Sequence, residues 1–334
     1  NIFYGLFDYQ DTSQAHTATA LIAGVAMIGA AVILHYGSIF LWEHIVKPMD
    51  DPSSVIKIFG AILVMGIGLW LITQGWARMN GLGNEDFLEG LTITFWFAFS
   101  TVPAELGLGL VLAYVLFQNI KGKQWYRMVF FLPYVAPDVA MAVVFRVVFS
   151  PRETALANQF LGLFGIPAQE WVTEPEPLVN TLFGLNLDGF IAGPSMALFS
   201  IALLGIWKYT GYNAVIFLAG LGAIPRDLYE AGKVDGATEW HLFRHITIPL
   251  LSPVTFYLAI LAFIGTFKSF NSIYVMRTAQ AQGTVDVASI AIFDRFFASS
   301  QFGRATAEAI LLFLIILALT QTFRNVFEKR VFYG

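Results

Sequence analysis

The stretch Ile224-Pro-Arg-Asp-Leu-Tyr-Glu-Ala-Gly-Lys-Val-Asp-Gly-Ala-Thr-Glu-Trp-His-Leu-Phe-Arg-His-Ile-Thr-Ile-Pro249 decides how the rest of the chain is read. Pro225 suits the first turn of a helix, where its missing N–H would be unpaired in any case. Leu228, Ala231, Val234 and Asp235 follow at helical spacing. Gly236 then permits a sharp change of direction. A second helical piece is predicted from Ala237 to Ile246, with Pro249 as its stop. The expected product is two short helices at an angle. A solvated loop with one interfacial helix is the competing physical reading, although it needs neither Gly236 nor a buried small-residue pair.

On both sides of this stretch the chain turns apolar for long enough to cross a bilayer, at about 20 residues per crossing. Seven such spans are predicted, near Ala18–Phe40, Ile58–Trp76, Leu91–Gln118, Met128–Phe149, Met196–Leu221, Val254–Met276 and Thr306–Phe323. They are continuously apolar and too long for barrel strands, so helices are expected. Composition agrees: of 334 residues, 57% are hydrophobic and only 13% charged, against about a quarter charged in soluble domains. Too little polar surface remains to cover a water-soluble body, and the fold class that follows is an all-α, polytopic membrane protein. The absence of cysteine excludes disulfides and thiolate metal sites. The net charge of -4 excludes a generally basic nucleic-acid binder. No cleavable signal peptide is visible, and because the first residue is Asn1 the native start of the chain is left open.

Orientation follows from Lys and Arg. With the N-terminus outside, the cytoplasmic segments carry Lys47, Lys57, Lys121, Lys123, Arg127, Arg226, Lys233, Arg244, Arg324, Lys329 and Arg330. The external ones carry only Arg78, Arg152, Arg277, Arg295 and Arg304. The stretch 224–249 is then cytoplasmic, within a connection running from 222 to 253. The connection Pro151–Pro194 is external. It holds an amphipathic piece around Asn158 and an acidic Thr173-Glu-Pro-Glu-Pro turn. The division read from this pattern is an N-terminal pair of spans in residues 1–80 and a five-span unit in residues 81–334.

The run Glu230-Ala-Gly, three residues, Gly236, nine residues, Ile246-Thr-Ile-Pro249 resembles the EAA loop of ABC importer permeases, whose pattern is E-A-A, three residues, G, nine residues, I-x-L-P. All spacings match; Gly232 replaces the second Ala and Ile248 the Leu. The likeness extends from about Leu91 onward and is of the larger, MalF-like kind of maltose and oligosaccharide permease. It is carried by Leu132-Pro-Tyr-Val-Ala-Pro137, by Phe149-Ser-Pro with Asn158 and Leu161-Gly, and by Phe267-Lys-Ser-Phe-Asn-Ser-Ile-Tyr274. Thr278-Ala-Gln-Ala-Gln-Gly283 departs from the family's T-G-G-P. The resemblance implies a type I importer permease fold in the cytoplasmic (inner) membrane. It also implies a loop that docks on an ATPase through Glu230, Ala231, Gly232, Asp235 and Gly236. Implied partners are a second permease, two ATPases holding ATP and Mg, an external binding protein and a sugar. No cofactor is expected in this chain, which has no G-x-x-x-x-G-K-[ST] nucleotide motif.

Ionisable groups inside spans are costly, by roughly 2.5–3.5 kcal/mol, and default to functional hypotheses. Glu105, Asp138, Arg146, Lys208 and Lys268 are such groups. Arg146 is read as snorkelling, and Glu105, just past Pro103, as bonding a neighbouring helix. Broken helices beside polar groups are a recurrent way to build a site at the bilayer midplane. The family's sugar positions fall on Tyr134, Asp138, Lys208, Tyr209, Tyr212, Thr266 and Ser269. Polar groups that merely satisfy helix–helix contacts are the competing reading. Lys208 and Lys268 keep open a second solute class, a polyol phosphate or sulfonated sugar. Two further ideas have thin support. His241 and His245 share a helical face as a metal site might, but no acid stands at the required spacing. Gly193-Pro-Ser195 would suit an intramembrane serine enzyme, but it lacks the G-x-S-x-G context.

Overall fold

The computed structural model describes residues 85–118, 120–187 and 192–327. The two predicted spans at 18–40 and 58–76, and with them the N-terminal unit 1–80, lie outside the described residues. The described chain is helical, apart from an isolated bridge between Pro177 and Ser195. Three helices are long and apolar enough to cross a membrane by themselves: α1 (Glu85–Phe117), α6 (Met196–Ala223) and α12 (Phe302–Phe327). At 1.5 Å per residue each exceeds the hydrocarbon thickness of about 30 Å. Rows of exposed apolar side chains run along the periphery, such as Leu108, Val111 and Val115 on α1 and Phe313, Leu314 and Leu317 on α12. In water such rows would be a liability; in lipid they are the solvated face.

Two spans expected to be continuous are broken. Met128–Phe149 becomes α2 (Lys123–Val135) and α3 (Asp138–Val148), which meet at 96°. Pro137 forces Ala136 out of the helical region, to φ -65 and ψ 142, because its ring clashes with the preceding residue's backbone. Val254–Met276 becomes α9 (Ser252–Phe267) and α10 (Asn271–Met276), interrupted at Lys268–Phe270. The three long helices give up to five crossings among the described residues when α2 with α3, and Glu239–Leu250 with Ser252–Phe267, each count as one bent span.

α1 and α6 make the most extensive helix pair, and α2 packs across α6. Glycines set both contacts. A Cβ on Gly109 would come 2.8 Å from the Asn213 Cβ, and one on Gly211 would overlap the Phe130 carbonyl of α2. Small residues that admit a neighbouring backbone are the usual currency of helix packing in lipid. The core falls into separate clusters along α6. Ala197 to Leu204 pack with Phe97, Ile273 and Val287, while Ala214 to Leu221 pack with Ala113, Leu251 and Leu258. The stretch between them, residues 205–213, is where the site lies.

The connection 151–194 is organised by one side chain. Asn158, on α4 (Leu156–Gly162), donates to the carbonyls of Arg152 and Gln169 at 3.1 and 3.0 Å. Its Oδ1 accepts from Gln169 N at 2.9 Å and from Trp171 Nε1 at 2.7 Å. The other piece of this connection is α5 (Leu178–Phe183). Asn158→Ala would leave the indole N–H and both backbone groups of Gln169 without these partners, at about 1–3 kcal/mol per buried group. The expected result is faster proteolysis of this connection in the purified protein with the spans still resistant; unchanged cleavage would show that the hub carries no stability. Ion pairs secure the neighbouring flank. From α11 (Ala288–Phe297), Arg295 meets Asp86 at 3.1 Å and Glu308 at 2.8 Å, and Arg277 meets Asp286 and Asp294 at 3.0 and 2.7 Å. Burial pushes the Asp286 carboxyl above its ordinary pKa, an effect that Arg277 opposes. The Thr278–Gly283 segment that departs from the family pattern folds onto this flank. Thr278 donates to the Val172 carbonyl at 2.9 Å, and Gly283, at φ +89, donates from its N–H to Asp286.

Candidate functional site: a mid-span cavity and a helical corner

All seven residues named from the sequence as a solute site line one cavity of about 210 Å³. Tyr134 comes from the last turn of α2 and Asp138 from the first turn of α3, so the 96° break delivers both. Lys208, Tyr209 and Tyr212 come from the middle of α6, Thr266 from the last turn of α9 and Ser269 from the interruption after it. Tyr134 stacks on Tyr212 with centroids 4.4 Å apart and meets Tyr209 edge-on at 5.9 Å. Lys208 is ion-paired with Asp138, and its ammonium lies 5.9 Å from the Tyr209 ring centre. The Asp138 carboxylate also sits where the amide dipoles of a helix start favour it. Thr266 gives its hydroxyl proton to the Ala262 carbonyl at 2.7 Å and so faces the cavity as an acceptor.

The other in-span ionisable groups separate. Lys268, at the end of α9, is exposed and outside the cavity lining. Arg146 reaches the Val275 carbonyl at 3.1 Å, in the last turn of α10, where the helix dipole favours a cation. Glu105 lines the same cavity, with no described helix–helix bond of the kind expected for it. Asn213 lines it too, and a sequence reading centred on ionisable residues misses it. The signal for it is an uncharged amide one turn past Tyr209 in an apolar run.

At the end of α6 the chain enters α7 (Arg226–Val234), turns at Gly236 and returns as α8 (Glu239–Leu250). The turn is a Schellman cap. Gly236 N–H donates to the Lys233 carbonyl at 3.1 Å and Ala237 N–H to the Gly232 carbonyl at 2.9 Å, with Gly236 at φ +81. This pattern needs a left-handed residue at that position, which is what glycine supplies. α8 begins two residues later than expected, at Glu239, because Thr238 caps it by accepting from His241 N at 3.3 Å. Pro249 does not stop it. Phe243–Thr247 widen into a π-helical turn, which relieves the ring's clash with the preceding turn, and the chain bends by 61° at Leu251 into α9.

Glu230, Ala231, Asp235 and Gly236 are exposed on this corner. Gly232 is turned inward, with a Cβ there 2.6 Å from Leu242 Cδ2, so the exchange of Ala for Gly lets the two helices close. Val234 is 88% exposed and Trp240 is 64% exposed. His241 and His245 stack face to face at 5.1 Å, and no cluster of three or more ligating side chains exists among the described residues. Ser195 serves as the N-cap of α6, accepting from Leu198 N at 3.0 Å, which accounts for its place without catalysis.

A helical membrane protein with broken spans around a central cavity and a two-helix corner outside the bundle has the architecture of a solute importer's membrane subunit. The chain belongs to the family described as binding-protein-dependent transport system inner membrane component, which it matches over residues 105–333. It is 28% identical over 248 residues to the arabinooligosaccharides transport system permease protein AraP of Bacillus subtilis, covering 74% of this chain and 73% of that one. It is 31% identical over 255 residues to the sn-glycerol-3-phosphate transport system permease protein UgpA of Agrobacterium fabrum, covering 76% and 80%. With the trehalose/maltose transport system permease protein MalF of Thermococcus litoralis it shares 29% over 245 residues, covering 73% and 76%. The fold is similar to a chain of a bacterial ABC transporter involved in import of the acidic polysaccharide alginate, at a TM-score of 0.61 and 19% identity, covering 81% of this chain and 95% of that one.

Proposed function

We propose that this chain is one of two permease subunits of an ATP-driven importer, and that it carries a neutral sugar or oligosaccharide through the cavity around Tyr134 and Tyr212. The carrying observation is that cavity: aromatic faces and hydroxyls meet there beside a charge pair that sums to zero. A sugar offers apolar ring faces and many hydroxyls, which such a lining complements. The names of the arabinooligosaccharide and trehalose/maltose relatives support the same solute class. The sn-glycerol-3-phosphate relatives favour a phosphorylated polyol instead. Against that, Lys208 is neutralised by Asp138 and Lys268 stands outside the cavity, so the two cations that suggested an anionic solute offer it no free charge.

The exposed corner at Gly236 is proposed to dock on one of two ATPase subunits, which hold ATP and Mg. Val234 and Trp240, apolar and exposed on a segment outside the bundle, suit a surface covered in the assembly. The excess of Lys and Arg puts this corner and the C-terminus in the cytoplasm. ATP-driven closure of the ATPases would be passed through α7 and α8 to the spans, opening them to a loaded binding protein.

The test is transport by the reconstituted complex. Tyr134→Ala or Tyr212→Ala should cut sugar uptake about tenfold or more, with the complex still assembled, because ring stacking and a hydroxyl are lost. Normal uptake by both variants would make these tyrosines packing residues and remove the proposed site.

A further inference from the structure

The cavity has a polar wall that the seven sequence-derived residues do not account for. Glu105 on α1 and Asn213 on α6 both line it, and they are 4% and 3% exposed. They stand on the two helices of one crossing: Gly109, one turn beyond Glu105, is the residue whose missing side chain lets α1 close on Asn213. Neither has the partner that a buried polar group ordinarily has. The Asn213 amide nitrogen makes no hydrogen bond, and among the described residues none pairs with the Glu105 carboxyl. Lys208 and Asp138, in the same cavity, satisfy each other. Nearly all buried polar groups in native proteins are matched. Both residues line one cavity, and although the Asn213 amide nitrogen is turned away from it in this conformer, rotation about χ2 presents it there, so the two unmatched groups have the arrangement of groups kept for a ligand.

We infer that Glu105 and Asn213 form a hydroxyl-reading pair, in which Asn213 Nδ2 donates to a substrate hydroxyl oxygen and the Glu105 carboxyl accepts the proton of that hydroxyl or its neighbour. The inference rests on the sugar-importer reading and adds the residues that select within it. A hydroxyl is donor and acceptor at once, so a donor set beside an acceptor fits it as neither would alone. The ligand class is a neutral ring with adjacent free hydroxyls. A phosphate or sulfonate has no proton for Glu105 to accept when fully ionised, and it would meet a second carboxylate in Asp138.

The test uses the assembled importer in proteoliposomes with arabinotriose, trehalose, maltotriose and glycerol 3-phosphate as probes. Asn213→Leu should raise KM for the sugar carried by about tenfold or more, since a site built to bond a hydroxyl loses heavily when the bond cannot form. Glu105→Gln should raise KM in the same direction, and the two together should cost less than the product of their separate effects. The melting temperature of the Asn213→Leu complex should stay level or rise, because an unmatched buried amide is exchanged for an apolar group of similar size. A lowered melting temperature with KM unchanged would make Asn213 a structural contact and overturn the inference alone. Uptake of glycerol 3-phosphate and of none of the three sugars by the unaltered complex would overturn the sugar reading as well.

Discussion

Gly211→Val should lower the melting temperature of the purified complex more than any single exchange in the cavity or at the Gly236 corner. The Gly211 Cα lies against the backbone of α2, and an added Cβ would stand 2.5 Å from the Phe130 carbonyl carbon. The obstacle is main chain, so no side-chain rotation relieves it, and α2 must move off α6. Overpacking of this kind costs about 3 kcal/mol or more. The shift also separates Tyr134, four residues further along α2, from Tyr212, so uptake should fall together with melting temperature. Gly107→Ala is the control: among the described residues nothing outside its own helix backbone lies within 4 Å of its Cβ, and the better helix propensity of Ala should leave stability level or slightly higher. A Gly211→Val complex that melts with the unaltered one would mean that α2 does not seat on this glycine.

The second large effect concerns the corner. Gly236→Val should leave the permease inserted and folded but reduce ATPase co-purification, or uncouple hydrolysis from uptake. At φ +81 a β-branched residue is strained by about 1–3 kcal/mol, and the Schellman bonds that set the angle between α7 and α8 would be lost with that conformation. Among the described residues, its two chain neighbours aside, no atom lies within 4 Å of a Cβ there, so the defect is not crowding by them. Gly236→Asn separates the remaining causes, since Asn tolerates the left-handed region. Recovery with Asn assigns the defect to backbone angle; a defect as deep as with Val assigns it to an ATPase surface that approaches too closely for any side chain. Glu230→Lys, which reverses a charge on the exposed face, should weaken co-purification as well. Normal assembly and normal coupling in both Gly236→Val and Glu230→Lys would remove the docking role from this corner.

Much of the architecture was legible in residues 224–249 and in the apolar runs, for different physical reasons. Gly236 could be read because a Schellman cap leaves a glycine at a fixed distance from the helix it ends, whatever surrounds it. The long spans α1, α6 and α12 could be read because lipid demands length and continuous apolarity. The two broken spans could not be read as breaks from hydropathy alone, since Met128–Phe149 and Val254–Met276 are each one apolar run long enough to cross. Pro133 and Pro137 announced weakness there, but Pro103 sits inside the continuous α1, so proline by itself does not tell a break from a tolerated kink. Asn213 stayed hidden because amides are common helix–helix contacts in membranes, and only the geometry tells a matched amide from an unmatched one.

The pairing of Asp138 with Lys208 bears on how the chain enters the bilayer during synthesis. The two residues are 70 positions apart, so when Asp138 leaves the ribosome its counter-ion has not yet been made. α2 and α3 have 13 and 11 residues, about 20 Å or less each, too short to reach across. With a carboxylate at their junction they lack a stable resting place in hydrocarbon by themselves. α6 brings three things at once: the length to span, the lysine that neutralises Asp138, and the Gly211 notch that seats α2. Commitment of the bent segment to the membrane interior is therefore a late event templated by α6, and a translation product cut short before Lys208 would hold its Asp138 junction at the headgroup level.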